Sequence, residues 1–138
     1  MKILRISPRD TTQIRHKILR PGKPIEDCFY AGDEEDQTFH LGAFFDNQLV
    51  SIASFYFEKH PFIAEPYQYR LRGMATLAEF RSKGLSSALL KMGFPIVKQN
   101  LCSLIWCNAR LSAQGFYEKN GFENKGVQMS IYFDKTKY

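Results

Sequence analysis

The chain has 138 residues, of which 44% are hydrophobic and 14% aromatic, and carries a formal net charge of +5. That length builds one substantial core and not two, so residues 1–138 read as a single domain. The composition excludes extended disorder, and no apolar run nears the ~20 residues that cross a bilayer.

Residues 1–7 interleave charged and apolar side chains without the continuous apolar core of a secretory signal, so a cytoplasmic chain off the membrane is expected. Cys28, Cys102 and Cys107 fall in no metal-ligand or redox spacing, and their odd number argues against a disulfide framework. His16, His40 and His60 are scattered, so no metal site is expected.

In chain order, Lys2–Ile6 alternates as a strand does, and Ser7-Pro8-Arg9-Asp10 is a turn leading to a helix cap. Ile14, Ile18 and Leu19 recur at helical spacing and predict a short helix over 11–19, stopped by Pro21-Gly22-Lys23-Pro24. Residues 25–37 are irregular, and 26–36 hold six acids and no base. Paired strands are expected at 39–45 and 49–57 around Asp46-Asn47-Gln48. A two-proline loop at 60–66 precedes a strand over 69–76. A long helix begins near Lys83 with Leu85, Ala88, Leu89 and Met92 on one face, and Gly93 and Pro95 are expected to end or kink it. A strand over 103–109, a helix over 112–119 closed by Asn120-Gly121-Phe122, and a last strand over 127–133 complete the order. This is an α/β pattern: a mixed, mostly antiparallel sheet flanked by helices. The substrate-facing insertions are expected at 20–38 and 58–67.

The chemistry concentrates in residues 70–122. After the strand comes Arg81-Ser82-Lys83-Gly84-Leu85-Ser86, a basic loop that opens a helix. Such a loop turns backbone N–H groups toward one point, where an anion is favoured. The positive surplus includes Arg70, Arg72, Arg81 and Lys83 beside it, which points to a phosphate-bearing ligand held against a strand. Further on, Asn108 ends a strand and Phe116-Tyr117-Glu118-Lys119-Asn120-Gly121-Phe122 ends a helix.

The order and spacing of these pieces resemble the Gcn5-related N-acetyltransferase (GNAT) superfamily. Its pyrophosphate loop reads Gln/Arg-x-x-Gly-x-Gly/Ala, from which only Ser86 departs. The resemblance implies the GNAT acyl-CoA N-acyltransferase fold and an enzyme that moves the acetyl group of acetyl-CoA to a primary amine. The transfer would be direct, in a ternary complex, with a small-molecule or peptide acceptor. It assigns the phosphates to Arg81, Ser82, Lys83, Gly84, Leu85, Ser86 and Ser87, and the pantetheine arm to Met74, Ala75 and Thr76. A bulge near Gly73 would turn an N–H toward the thioester oxygen. Tyr117 matches the tyrosine that protonates the departing thiolate; an aromatic packed on the sheet is the other reading. Asn108 would hold cofactor or substrate by its amide, or cap a turn.

The general base is open. No Glu lies within 68–76, and Glu58, His60, Glu65, Glu79 or a water chain are the candidates. In relatives the acceptor site is lined by the region where the acidic run 26–36 falls, which would suit a polyamine, aminoglycoside or lysine side chain, or be a solvated loop. The alternative function is a CoA-binding sensor or interaction module without turnover. A nucleic-acid partner is not expected, because the aromatics do not gather with Lys and Arg on one strand. A homodimer stays open, since nothing in the sequence marks an interface.

Overall fold

A computed structural model describes residues 1–126 and 128–133. β1 (Lys2–Ile6) pairs antiparallel with β2 (Phe39–Phe45), which turns back as β3 (Gln48–Phe57). The turn is the two residues Asp46 and Asn47, both at positive φ (47° and 64°). That pair gives a hairpin whose twist matches the strands, and Asp and Asn tolerate it better than other side chains. β4 (Gln68–Thr76) extends the meander, and β5 (Leu104–Cys107) lies parallel to β4. β6 (Glu123–Asn124) and β7 (Met129–Tyr132) complete a seven-stranded sheet of order β1-β2-β3-β4-β5-β7-β6. β6 is too short for a periodic signal and was not expected; β7 starts later than the predicted strand, whose first residue, Val127, lies outside the described residues.

β3 is buried from Val50 to Tyr56, so both faces of the sheet's centre are covered. Alternation along the strand sends neighbouring side chains to opposite faces. Phe55 faces α2 (Leu85–Gln99), stacks on Phe39 at 4.6 Å between centroids, and lies under Gly93. Ser54 and Tyr56 point the other way, to the side covered by the segment that follows β1.

Of the two outcomes expected at Gly93 and Pro95, an ending does not occur: α2 runs on through Pro95 to Gln99. Pro95 removes one backbone donor, but Leu89, Leu90 and Val97 are fully buried on the sheet and hold the helix through that defect. Gly93 is the point of closest approach: a Cβ there would run into the Phe55 ring. The helix expected over 11–19 is a composite. A 3₁₀ turn (Pro8–Thr11) capped by Ser7 leads into α1 (Thr12–Ile14) and then a π turn (Arg15–Leu19) closed by Arg20 N–H to the Arg15 carbonyl at 2.9 Å. The widened turn accompanies the burial of Arg15, a residue that amphipathic patterning would leave on the surface. The predicted helix over 112–119 is likewise a 3₁₀ turn (Leu111–Ala113) followed by α3 (Gln114–Lys119), and β5 stops before Asn108.

Arg15 is 0% exposed and organises the face opposite α2. Its guanidinium donates to both carboxylate oxygens of Asp33 (2.6 and 3.1 Å), to the Cys28 carbonyl, to Ser54 Oγ and to Tyr56 Oη. Asp33 also accepts from Tyr56 Oη and from the Tyr30 amide at 2.9 Å. His40 Nδ1 lies 2.7 Å from Ser54 Oγ and Nε2 lies 3.1 Å from the Asp33 carbonyl. These partners assign the tautomer: Nε2–H donates to the carbonyl and Nδ1 accepts from Ser54. Burial pushes the His40 pKa down, so the imidazole is neutral and its 3.9 Å approach to Asp33 Oδ1 is not an ion pair. Burial alone would raise the Asp33 pKa; the bonds from Arg15, Tyr56 and the Tyr30 amide outweigh it and hold the carboxyl below its usual range.

Replacing a helical Gly normally gains up to ~1 kcal/mol of helix propensity, yet Gly93→Val is expected to lose about 1–3 kcal/mol by overpacking Phe55, measured by urea unfolding. Asp33→Asn strands a buried guanidinium and is expected to cost about 3–5 kcal/mol. Acid should act in two stages. As pH falls below about 6.5, the unfolded chain protonates His40 and the folded chain does not, so stability drops. Below about 4, Asp33, whose stabilisation is present above its unfolded pKa, loses it as pH falls through its depressed folded value. A His40→Gln variant should lack the first stage in an unfolding series from pH 8 to 3.

Candidate functional site

β4 and β5 are hydrogen-bonded at one end only: Gln68, Tyr69 and Arg70 face Leu104, Ile105 and Trp106. That end is pinned. Trp106 Nε1 donates to the Glu58 carbonyl at 2.9 Å, His60 packs edge-on against the indole at 4.7 Å, and Arg70 covers it at 5.0 Å. Beyond it the strands separate, and residues 71–76 of β4 have no partner strand on the β5 side among the described residues. The 58–67 loop, expected to face substrate, instead seals the pinned end around Ile63, Leu104 and Trp106.

Within the open stretch β4 bulges. Ile52 faces Ala75 while Ser54 faces Arg72, so three steps on β4 match two on β3. Gly73 takes the extra step at φ +69°, which a glycine accepts without strain. The gap between the strands is a cleft of about 800 Å³. Leu71, Gly73, Met74, Ala75 and Thr76 form one wall, Asn108, Ala109 and Tyr117 the other. Its mouth shares Thr76, Arg81 and Ser86 with a second hollow of about 440 Å³ that also takes in Ser82, Gly84, Leu85, Ser87 and Phe116.

At that mouth α2 begins. Gly84 (φ +77°) precedes the helix, and the first ladder bond runs from Ala88 N–H to the Gly84 carbonyl at 3.0 Å. The amides of Leu85, Ser86 and Ser87 therefore precede the ladder, and no side chain caps them. A Cβ at Gly84 would meet nothing within 4 Å, so the loop is open on the ligand side. Its base is fixed by Phe80, which stacks on Phe45 at 5.7 Å, and Ser82 holds a positive φ of 62°. Ser86, the departure from the family pattern, turns its hydroxyl to within 3.4 Å of Thr76 Oγ1, which in turn contacts Ser51 Oγ at 2.7 Å. Lys83 is exposed and lines neither hollow.

Tyr117 lines the cleft, flanked by Phe116 at 5.2 Å and Phe122 at 5.3 Å. Burial, with the Cys107 thiol beside it, pushes its phenol pKa well above the ordinary value, so the group stays protonated at any physiological pH. Burial likewise raises the thiols of Cys102 to about 11 and Cys107 to about 12, leaving no thiolate to act as a nucleophile.

None of the four residues considered as general base lines the cleft. Glu58 pairs with Arg70 at 3.1 Å, and His60 Nδ1 accepts from the Phe62 amide at 3.0 Å. Glu79 is exposed in a 3₁₀ turn, and Glu65 sits in the loop beneath the pinned end, its carbonyl taken by Gln68. The acidic run also lies elsewhere. Asp33 is buried against Arg15, and Glu35 and Asp36 face a separate hollow with Tyr56 and Glu58. Among the residues of the cleft to which the sequence reading gave no site role are Ile18, Leu19, Arg110 and Ser112, and Arg72 is also there, which it grouped with the phosphate loop. Arg72 precedes the bulge, whereas the phosphate loop lies beyond Thr76. The only sequence signal for it is its position one residue before a strand glycine.

Known proteins share this fold. Residues 6–122 match the Acetyltransferase (GNAT) family. The chain is 41% identical over 131 residues to an uncharacterized N-acetyltransferase, YitI, of Bacillus subtilis, covering 95% of this chain and 88% of that one. An aminoglycoside 6'-N-acetyltransferase from Acinetobacter haemolyticus has the same fold at a TM-score of 0.75 and 19% identity, with 90% of this chain and 92% of that one covered. So does the PaiA N-acetyltransferase of Thermoplasma acidophilum in complex with coenzyme A, at 0.69 and 17%, covering 95% and 98%. The extent of the family match and the YitI identity together establish that this chain belongs to the GNAT family of N-acetyltransferases.

Proposed function

We propose that this protein transfers an acetyl group from acetyl-CoA directly to a primary amine, within one ternary complex. The observation that carries this reading is the unpaired stretch of β4, bulged at Gly73, facing Tyr117 across a cleft that runs to the uncapped amides of α2. Acetyl-CoA would supply an activated thioester and a pyrophosphate. The free amides of Leu85, Ser86 and Ser87, with Arg81 and Ser82 beside them, suit the pyrophosphate, and Gly84 leaves room for it. Lys83 adds charge from the exposed side of the loop.

The edge of β4 at Met74, Ala75 and Thr76, which has no partner strand on the β5 side among the described residues, suits an extended amide-bearing arm, with the Asn108 amide opposite. A bulge N–H aimed at the thioester oxygen lowers the barrier by about 3 kcal/mol where charge develops there. The amine nitrogen forms its bond to the acetyl carbon as the carbon–sulfur bond breaks, and the proton it sheds ends on sulfur. Tyr117, which lines the cleft, would give its proton to that sulfur and recover one from the amine. With no His, Asp or Glu among the described residues lining the cleft, an ammonium acceptor gives up its first proton to water. A buried, protonated Cys102 and Cys107 supports transfer without an acyl-enzyme, and three free cysteines fit a reducing, cytoplasmic setting.

Calorimetry with acetyl-CoA tests the cofactor site. Micromolar binding is expected, and Gly84→Glu, which places a carboxylate on a positive-φ position among the phosphate-facing amides, should abolish it. Binding without amine-dependent thiol release would leave an acyl-CoA sensor and sink the transferase reading. Tyr117→Phe should lower kcat by about 10²-fold or more with acetyl-CoA affinity kept. kcat/KM should rise tenfold per pH unit up to the acceptor's own pKa. A plateau beginning between pH 5 and 7 would mean that an enzyme carboxylate or imidazole acts as base. The raised Tyr117 pKa predicts no alkaline fall at pH 10.

A further inference from the structure

The cleft is charged with one sign. Arg72, Arg81 and Arg110 line it, and among the described residues no carboxylate does. Arg81 belongs to the phosphate end. Arg72 stands on the other side of the Gly73 bulge, where an acceptor would approach the thioester. Its guanidinium lies over the Tyr30 ring at 4.4 Å and near the Tyr56 ring at 5.7 Å. Tyr30 is itself clamped from below by Arg15 at 4.0 Å, and Tyr56 is bonded to Asp33. Among the described residues no carboxylate pairs with Arg72 and no acceptor takes up its donors. Asp33, the nearby acid of this network, is committed to Arg15.

A guanidinium stacked on aromatic faces keeps its plane fixed and its N–H edge available for a two-point contact with carboxylate or phosphate oxygens. A cationic acceptor would have to enter among three arginines with nothing in the cleft to offset them. We propose that the site selects a small primary amine that also carries an anionic group, a carboxylate or a phosphate, and that Arg72 binds that group. The inference rests on the acetyl-transfer reading above. Arg72 is one residue, about 3.3 Å of strand, from the bulge, so the anion lies only a few bonds from the reacting nitrogen, as in an amino acid or an aminoalkyl phosphate.

The test measures thiol release from acetyl-CoA with β-alanine, O-phosphoethanolamine, ethanolamine and spermidine. At least one anionic amine should exceed ethanolamine in kcat/KM by tenfold or more, and the ranking of the first two separates carboxylate from phosphate. Arg72→Met should reduce that preference by about 10- to 100-fold, through KM, with Arg72→Lys recovering part of it. Preference for ethanolamine or spermidine overturns the inference, and so does an undiminished anion preference in Arg72→Met. Loss of acetyl-CoA binding in a folded Arg72→Met would assign the arginine to the cofactor and also overturn it. The wild-type ranking decides the matter alone if the variant does not fold. Failure of wild-type protein to bind acetyl-CoA strikes the transfer reading itself; binding followed by spermidine turnover strikes only the choice of acceptor.

Discussion

Everything that the site can do depends on two strands that pair for three residues and then part. Full pairing of β4 with β5 would satisfy the backbone of residues 71–76 and leave no cleft. The separation has causes on both strands. On β4, the extra residue at Gly73 bends the chain; on β5, the strand stops at Cys107 and turns away through Asn108. The pinned end resists further opening because Trp106 is held by the Glu58 carbonyl, His60 and Arg70 together. A loop that looked like a substrate insertion is thus a clasp.

The second constraint is the buried Arg15–Asp33 pair. A buried ion pair is weak evidence for stability by itself, since its desolvation offsets much of its attraction. Its effect here is positional. It ties the irregular, acidic segment 25–36 to the centre of the sheet through Ser54, Tyr56 and the Tyr30 amide. Tyr30 is thereby held against Arg15, and Arg72 on the cleft wall and Arg20 also lie over its ring. The place of Arg72 on the cleft wall is thus tied to a network whose own charges cancel inside the fold.

The charge of the segment 26–36 and the charge of the cleft are therefore opposite in sign and separate in space. Six acids in eleven residues describe the segment and not the site, because one is neutralised inside the fold and none lines the cleft. Counting charge along a chain predicts solvation better than it predicts recognition, which depends on which side chains converge.

The elements with strong local signals were legible in the sequence. The paired strands at 39–45 and 49–57 and the helix opening at Leu85 depend on neighbours in the chain and lie where their patterns point, although Met92 is exposed and the buried face of the helix runs instead through Leu85, Leu89, Leu90, Gly93 and Val97. The family, too, was legible, since short spacings around Gly84 and Tyr117 carry it. Tertiary structure decided the rest. Pro95 stays inside α2 because burial of Leu89, Leu90 and Val97 outweighs one lost hydrogen bond. Arg15 is interior because Asp33, distant in sequence, meets it there. The roles of Glu58, His60 and Arg72 depended on which strand end closes and which opens, a matter of long-range register that no local pattern encodes.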